Sequence, residues 1–269
     1  MRKTTAYIIA VFVLTCLILL PYPNPGKGNP YKQGKKLETI ILDAGHGGKD
    51  PGTIGISGVY EKNIVLPITL KTRDFLLKDY NDMKVILTRD RDEFIELKNR
   101  GKIANNNNGD LFVSIHCNAR KSEEVDKNGF EIYIMDLGRL NEAMNITYAE
   151  NNFLNFEKKD SITFRQSVDY LVTSLAQNSF LKNSERMANI LQQQMGLDTK
   201  LESRGIYQAG FYVLIGASMP TMLVETGYLS NKNDEEYLNS QKGQGDIAKA
   251  IYKAIRLYKF DYDYENLAK

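Results

Sequence analysis

The sequence has few residues that could cross-link the chain or give it a strong charge. It has two cysteines, and because Cys16 lies in an N-terminal apolar run, Cys117 is the only cysteine of the remainder. No disulfide can form within that remainder, so stability must come from a packed core or a bound metal. Removing Arg2 and Lys3 from the 35 basic residues leaves 33 basic against 33 acidic side chains. This balance gives no electrostatic argument for a nucleic-acid partner or an acidic membrane.

Residues 1–20 have the pattern of an export signal. Two basic residues precede an almost unbroken apolar run over residues 6–20, which has the length of a signal-peptide core and is short for a spanning helix. The Pro- and Gly-containing linker over residues 21–37 has no clear small-x-small cleavage motif. A cleaved signal peptide and a retained anchor both stay open. Either predicts an extracytoplasmic protein of the periplasm or cell envelope that meets the membrane only through this segment.

Short β-branched apolar runs alternate with segments of helical spacing. The runs predict strands over residues 39–42, 84–87, 111–115, 129–134, 211–215 and 221–224. Helices are predicted over residues 64–77, 94–104 and 247–258, the first starting near Asn63 because Pro67 fits only in or near a first turn. We therefore expect one α/β domain over residues 38–260, with a roughly six-stranded, mostly parallel or mixed sheet flanked by helices, and a C-terminal tail over residues 261–269.

A polar stretch over residues 136–183 interrupts this alternation. It is rich in Asn, Glu, Lys and Gln and shows no period of its own, so we interpret it as an insertion that contains helical segments. Residues 148–156 and 168–175 are the two candidate helices. Long connections of this kind in compact domains are often lids or regulatory elements.

The chain has only two histidines, and each follows a predicted buried strand. His46 lies in the segment DAGHGG, and His116 comes directly after residues 111–115. Ligands of open α/β sheets collect at the carboxyl ends of strands, so both imidazoles are expected at one rim. The glycines beside His46 allow close backbone approach, which favours metal ligands over two unrelated structural histidines. Two imidazoles and one carboxylate would make an open zinc site.

Two acidic residues are candidates for the carboxylate. Glu61 lies just ahead of the first predicted helix and could turn back over the first strand; its alternative role is an acid stabilised by the helix dipole. Glu225 follows the apolar run over residues 221–224, where an acid is costly without a partner; a surface lysine is its alternative partner. The pattern alone leaves both open as ligands.

Five segments, in order, resemble the zinc-dependent N-acetylmuramoyl-L-alanine amidases of the bacterial cell wall. They are residues 42–48 (LDAGHGG), 60–63 (YEKN), 87–89 (LTR), 111–118 (LFVSIHCN) and 223–231 (LVETGYLSN). The resemblance runs from about Glu38 to Tyr258. It implies that His46, Glu61 and His116 bind one Zn²⁺ ion and that Glu225 is the catalytic base.

The resemblance also implies a substrate and a reaction. The substrate is peptidoglycan, cleaved at the amide between the lactyl group of N-acetylmuramic acid and L-alanine, in wall remodelling or daughter-cell separation. Glu225 would take a proton from the attacking water and pass it to the leaving amine. Two other interpretations stay open. One is a zinc carboxypeptidase or deacetylase acting on another wall amide; the other is a non-catalytic wall-binding regulator, which would have little need for Glu225.

Further residues have weaker assignments. Arg204, Arg89 and Asn118 are candidate substrate-binding residues, although Arg204 would equally suit a surface cation and Arg89 an internal ion pair. Cys117 is assigned to packing, because adjacent residues on a strand point to opposite faces.

In the division-linked branch of the family, an insertion helix covers the zinc cleft until a partner displaces it. Residues 136–183 occupy the corresponding place, so the resemblance implies autoinhibition, a metal contact by Glu150 and an activator protein. The alternative is a solvated helix that decorates the domain.

Overall fold

The computed structural model describes residues 35–119, 127–135 and 164–267. Strands and helices alternate along much of the chain. Their bounds are β1 (Thr39–Ala44), α1 (Glu61–Asp79), β2 (Lys84–Leu87), α2 (Leu97–Asn106), β3 (Leu111–Asn118), β4 (Phe130–Met135), α3 (Phe164–Asp198), β5 (Ser203–Ala209), β6 (Thr221–Tyr228), α4 (Lys232–Leu238) and α5 (Gln241–Leu267).

The six strands form one mixed sheet in the order β2-β1-β3-β6-β4-β5. Strands β2, β1, β3 and β6 are parallel, β4 pairs antiparallel with β6, and β5 pairs parallel with β4. Every residue of β1, β3, β4 and β6 is buried, which explains why these strands are so strongly apolar. The predicted α/β class with a six-stranded mixed sheet is confirmed.

The two faces of the sheet have different coverings. On one face Leu42, Val113 and Val224 belong to a large core that includes residues of α1, α3 and α5. On the other face Phe112 and Leu223 belong to a smaller core. Because side chains alternate along a strand, the polar residues His116 and Glu225 lie on the face of the smaller core. The candidate site is therefore on the face of the sheet that carries the smaller core.

The prediction of a strand over residues 211–215 is wrong, since most of these residues form turns. The strand that brings the sheet to six is β5, which the sequence patterns did not predict. Phe211, Val213 and Leu214 are buried in the smaller core, so their apolar pattern reflects burial and not extended backbone. Strand β5 lies at the sheet edge and is only partly buried, which is why it lacks a continuous apolar run.

Helix α1 begins at Glu61, two residues before the predicted start, and Pro67 lies inside it beyond the first turn. An interior proline costs about 3 kcal/mol, because it removes one backbone hydrogen bond and clashes with the preceding turn. The packing of Ile64, Val65 and Ile68 into the large core offsets this cost.

The ends of two other helices also differ from the expected boundaries. Helix α5 continues to Leu267, so the boundary expected at residue 260 falls within a helix. Helix α3 includes residues 164–183, so the end of the expected insertion is regular and contains the candidate helix over residues 168–175. The candidate helix over residues 148–156 lies outside the described residues. None of the helices in the described ranges combines the length and apolar character needed to cross a bilayer.

Candidate metal centre and the carboxylate beside it

His46 is held by the tight turn that follows β1. Its φ of 57° is a left-handed value that few residues other than glycine adopt, and Gly47 and Gly48 also have positive φ. The buried imidazole lies with Nδ1 2.9 Å from Oδ2 of Asp50. This contact orients the ring so that Nε2 faces Glu61, 3.1 Å from Oε2. Asp50 was not among the predicted site residues.

The carboxylate of Glu61 lies between the two histidines. Its Oε1 is 3.1 Å from Nδ1 of His116, and the backbone N–H groups of Cys117 and Thr53 each donate to it at 2.9 Å. Burial alone would raise the pKa of Glu61, but positive charge on His46 and hydrogen bonds with both imidazoles hold it well below its ordinary value. Glu61 is thus ionised and held in a fixed orientation, as a metal ligand would need to be.

His116 projects from β3 against Gly45, the residue that follows the neighbouring strand β1. A Cβ at Gly45 would lie 2.5 Å from Cε1 of the His116 ring, so only glycine leaves room for it. Gly52 does the same for the other ligands, since a Cβ there would meet Glu61 and His46 at 2.6 and 2.7 Å. The two imidazole rings are 4.9 Å apart and nearly perpendicular.

These three residues have the chemistry and spacing of a metal site. In the described part of the chain, His46, Glu61 and His116 form a buried group whose potential ligand atoms all lie within 4.8 Å of one another. Two ligand atoms of one tetrahedral zinc, each about 2.1 Å from the ion, are separated by about 3.4 Å. The separations of 3.1 Å from His46 Nε2 to Glu61 Oε2 and from His116 Nδ1 to Glu61 Oε1 are each close to that value, so either carboxylate oxygen is near one imidazole. Two imidazoles and one carboxylate also leave a coordination position for water or substrate.

The register of the sheet brings Glu225 to this site. It pairs with His116 on β3 and with Glu131 on β4, and residues opposite one another in a sheet project from the same face. The carboxylate is buried beside the candidate metal ligands. Glu225 was expected to follow the last strand, but β6 continues past it to Tyr228.

Glu131 is a buried acid that the sequence patterns did not single out. Its Oε2 accepts from the Tyr133 hydroxyl at 2.6 Å and Asn118 Nδ2 at 2.9 Å, and its Oε1 accepts from the Tyr228 hydroxyl at 2.7 Å. Lys127 lies 3.2 Å from Oε1. Burial opposes ionisation, yet the two tyrosine hydrogen bonds and Lys127 hold the pKa of Glu131 below its ordinary value. The sequence did contain one signal for Glu131: it is an acidic residue within a strand that is otherwise apolar.

Arg89 is buried and faces the backbone of the turn that carries His46. Its buried guanidinium donates to the carbonyl oxygens of Ala44 at 2.9 Å, Gly45 at 2.7 Å and Arg91 at 3.1 Å. Burial, followed by the charge of Arg100, lowers the pKa of Arg89 to about 10. The side chain therefore supports the turn that carries His46, and its acceptors are backbone carbonyls instead of the internal ion pair considered as the alternative.

The other two candidate substrate contacts are also engaged in the domain. Asn118 uses its side-chain amide to hold Glu131. Arg204 on β5 donates to the carbonyl of Asn128 at 2.6 Å and pairs with Glu202 at 3.1 Å, although part of its side chain is exposed. Glu150, the predicted autoinhibitory contact, lies outside the described residues. Cys117 is buried and packs against Thr226, in agreement with its assignment to packing.

A buried ion pair beneath the site supports the His46 turn from the other side. Arg100 of α2 pairs with Asp43 at 2.8 Å and donates to the carbonyls of Ala44 at 2.7 Å and His46 at 2.9 Å. Burial would raise the pKa of Asp43, but Arg100 and the hydroxyl of Ser114 lower it. The position of His46 thus depends on residues from β1, α2 and β3.

Three-ligand sites that leave one position open, with a carboxylate close enough to move a proton, are characteristic of metal-dependent hydrolases. The mixed sheet and the grouping at its carboxyl edge place the protein in that class. The family described as N-acetylmuramoyl-L-alanine amidase matches residues 40–257, and the chain belongs to this family.

Individual relatives agree with the family match. The amidase AmiC of Escherichia coli O6:H1 is 31% identical over 240 residues, which is 89% of this chain and 56% of AmiC, so the chain spans little more than half of that relative. The catalytic domain of the amidase CwlV from Bacillus (Paenibacillus) polymyxa is 31% identical, with a TM-score of 0.62 over 82% of this chain and 97% of that domain. The CwlD amidase of Clostridioides difficile, solved in complex with the GerS lipoprotein, is 28% identical, with a TM-score of 0.61 over 82% of this chain and 98% of CwlD.

Proposed function

We propose that the protein is a zinc-dependent peptidoglycan hydrolase that cleaves the amide between the lactyl group of N-acetylmuramic acid and L-alanine of the stem peptide. The observation that carries the proposal is the register of Glu225 with His116, which places a buried carboxylate beside the His46, Glu61 and His116 group. Family membership supports the choice of this amide over the amides that a carboxypeptidase or a deacetylase would cleave.

The residues of this chain divide the work of hydrolysis. His46, Glu61 and His116 would hold zinc, which when bound polarises a scissile carbonyl and lowers the pKa of a water molecule. Glu225 takes the proton of the attacking water and delivers it to the nitrogen of the leaving amine. Asp50 keeps the His46 ring in orientation, and the backbone N–H groups of residues 53 and 117 do the same for the Glu61 carboxylate.

A direct test uses the full chain, purified peptidoglycan and mass analysis of the products. Wild-type protein with one equivalent of zinc should release stem peptides that begin with L-alanine. Glu225→Gln should retain zinc and lose about 10²- to 10⁴-fold in rate, the usual contribution of a positioned acid–base. His46→Ala should lose both zinc and activity. Glu202→Gln, which changes an exposed acid, is the matched control and should behave as wild type.

Three outcomes would contradict the proposal. Full activity in Glu225→Gln would remove its role as base. Products trimmed only at the end of the stem peptide would indicate a carboxypeptidase, and acetate release would indicate a deacetylase. Wall binding without any turnover by the zinc-loaded protein would support a non-catalytic regulator.

Location and regulation complete the proposal. Residues 1–20 direct export and stay attached as an anchor, residues 21–37 are the linker, and residues 38–260 act on the wall in the cell envelope during remodelling or daughter-cell separation. The apolar run over residues 6–20 and the absence of a clear cleavage motif support this arrangement.

The insertion over residues 136–183 is autoinhibitory and lowers the rate of hydrolysis through Glu150, and an activator protein displaces it. The complex of the relative CwlD with GerS supports protein-level control of an amidase of this family. Deleting residues 140–180 should raise hydrolysis of purified wall, and Glu150→Ala should do so with less disturbance. Unchanged rates in both variants would show that the insertion only decorates the domain.

A further inference from the structure

The last helix carries an exposed apolar stripe. Leu257, Phe260 and Tyr264 have spacings of three and four residues, which place them on one side of α5. Their exposed fractions are 41%, 71% and 68%, and the rings of Phe260 and Tyr264 stack with centroids 6.5 Å apart. The opposite side of α5 is buried in the large core through residues such as Ile251. Large apolar side chains exposed side by side characterise a contact surface.

The described chain starts next to this stripe. The N–H of Leu37 donates to Asp263 at 2.7 Å, Lys259 donates to the Leu37 carbonyl at 2.7 Å, and Asn266 donates to the Lys35 carbonyl at 3.2 Å. Lys35 is thus fastened to the end of α5. The apolar run ends at residue 20, and the 14 residues from 21 to 34 span at most about 50 Å when fully extended. A bilayer that holds the run lies within reach of the stripe.

Charge near the stripe does not oppose contact with anionic lipid. Asp263 pairs with Lys259 at 2.8 Å, and Arg186 of α3 pairs with Asp261 at 3.2 Å and with Glu265 at 2.8 Å. The acids of this helix end are therefore neutralised by neighbouring cations in the domain, which lowers the repulsion that they would exert on lipid headgroups.

The stripe and the candidate metal centre lie at opposite ends of the parallel strands. Leu37 precedes β1. Asp110, which precedes β3, accepts from the N–H groups of residues 38 and 39 at 2.9 Å, so the stripe is near the amino ends of these strands. His46 and His116 are at the carboxyl ends. The six residues of β1 separate the two ends by about 20 Å.

We propose that Leu257, Phe260 and Tyr264 rest on the outer surface of the membrane and turn the metal centre away from the bilayer toward the wall. Exposed aromatic side chains suit the interface between headgroups and acyl chains. The inference rests on the proposed retention of the N-terminal run as an anchor. It does not require the amidase reaction, so the two can fail independently.

The sequence contains no tryptophan, so one introduced ring reports its own surroundings. The full chain carrying Phe260→Trp is reconstituted into vesicles of phosphatidylglycerol and phosphatidylethanolamine, with and without bromine on the acyl chains. The emission should shift to the blue, and brominated lipid should remove about half of it, as expected for a ring buried about 5–10 Å below the headgroups. Leu197→Trp is the control, because Leu197 is 77% exposed on α3 near the carboxyl ends of the parallel strands, away from the stripe.

The expected result is strong quenching at position 260 and little at position 197. Equal quenching at both positions, or a chain that does not stay with the vesicles, overturns the proposal. Adding Leu257→Ser and Tyr264→Ser to Phe260→Trp should abolish the quenching while the N-terminal run keeps the protein on the vesicles. Hydrolysis of soluble muropeptides by every variant serves as the separate readout: weak quenching in the single variant Phe260→Trp with intact hydrolysis overturns only the membrane surface, whereas an inactive wild-type protein overturns only the proposed function.

Discussion

Replacing Glu131 by glutamine changes one atom of a buried carboxylate that faces four hydrogen-bond donors. Each oxygen of Glu131 has two of them: Tyr133 and Asn118 at Oε2, and Tyr228 and Lys127 at Oε1. In Glu131→Gln one oxygen becomes an NH₂ group, which cannot accept, so two donors lose their acceptor whichever way the amide is oriented.

The expected cost of this substitution follows from the two lost hydrogen bonds. A hydrogen bond to a charged group contributes about 1.5–3 kcal/mol, so Glu131→Gln should lower the free energy of unfolding by about 3–6 kcal/mol. For a domain of this size the midpoint of thermal unfolding should fall by roughly 10 °C. Calorimetry or circular dichroism of the full chain measures both quantities. Glu202→Gln, at an exposed acid, is the control and should change stability by less than about 0.5 kcal/mol.

A second variant tests whether unsatisfied donors are the cause. Tyr228→Phe removes one donor, so it should destabilise the wild type but cost much less, or even restore stability, in the Glu131→Gln background. If the NH₂ group replaces Oε2 instead, Tyr133→Phe should show this non-additivity in place of Tyr228→Phe. Strictly additive effects of both tyrosine substitutions with Glu131→Gln, or a shift in Glu131→Gln no larger than that of Glu202→Gln, would refute the reasoning.

The pH dependence provides an independent check on Glu131. Its pKa is held below the ordinary value of 4.5, so its stabilisation is complete above that pH and is lost as pH falls through the lower folded-state value. The stability advantage of the wild type over Glu131→Gln should therefore decrease below about pH 4.5. An advantage that stays constant through this range would show that ionisation of Glu131 does not contribute.

Two substitutions around the metal ligands should separate metal binding from folding. Gly45→Ala places a Cβ 2.5 Å from the His116 ring and should weaken zinc binding, measured by competition with a chelator, whereas Gly245→Ala has nothing within 4 Å and should leave it unchanged; equal affinities would contradict the steric argument. Asp50→Asn keeps the shape of the side chain but removes the charge that orients His46, and should lower zinc affinity by about 10- to 100-fold with little loss of stability. Wild-type affinity in Asp50→Asn would mean that the turn alone fixes the ring.

The buried strands were predictable because a strand covered on both faces must be apolar throughout. The edge strand β5 was not, since only part of it is buried, while the apolar residues 211–215 were mistaken for a strand. The grouping of His46 with His116 follows from their positions at strand ends. Choosing Glu61 as the third member needed the family resemblance, because its approach to the histidines depends on where α1 begins.

Other parts of the site depend on contacts that no local pattern records. Asp43 and Arg100 are 57 positions apart, and Glu131 reaches Glu225 only through the register of β4 with β6. Arg89 is a second example of this limit. The family resemblance made it a candidate substrate contact, with an internal ion pair as the alternative, but its acceptors are backbone carbonyls 44 and 45 positions earlier.

The contact between Leu37 and Asp263 joins positions 226 residues apart, and α5 completes the core over a sheet whose first strand was made long before. The three candidate metal ligands lie within residues 46–116, whereas Glu225 and α5 come from the last quarter of the chain. A nascent chain that ends before α5 therefore leaves part of the apolar face of its sheet uncovered. Long-range contacts of this kind slow folding, because the entropy of closing the loop is lost before they form. The group of His46, Glu61, His116 and Glu225 is consequently complete only after β6 has been synthesised, more than 100 residues after His116.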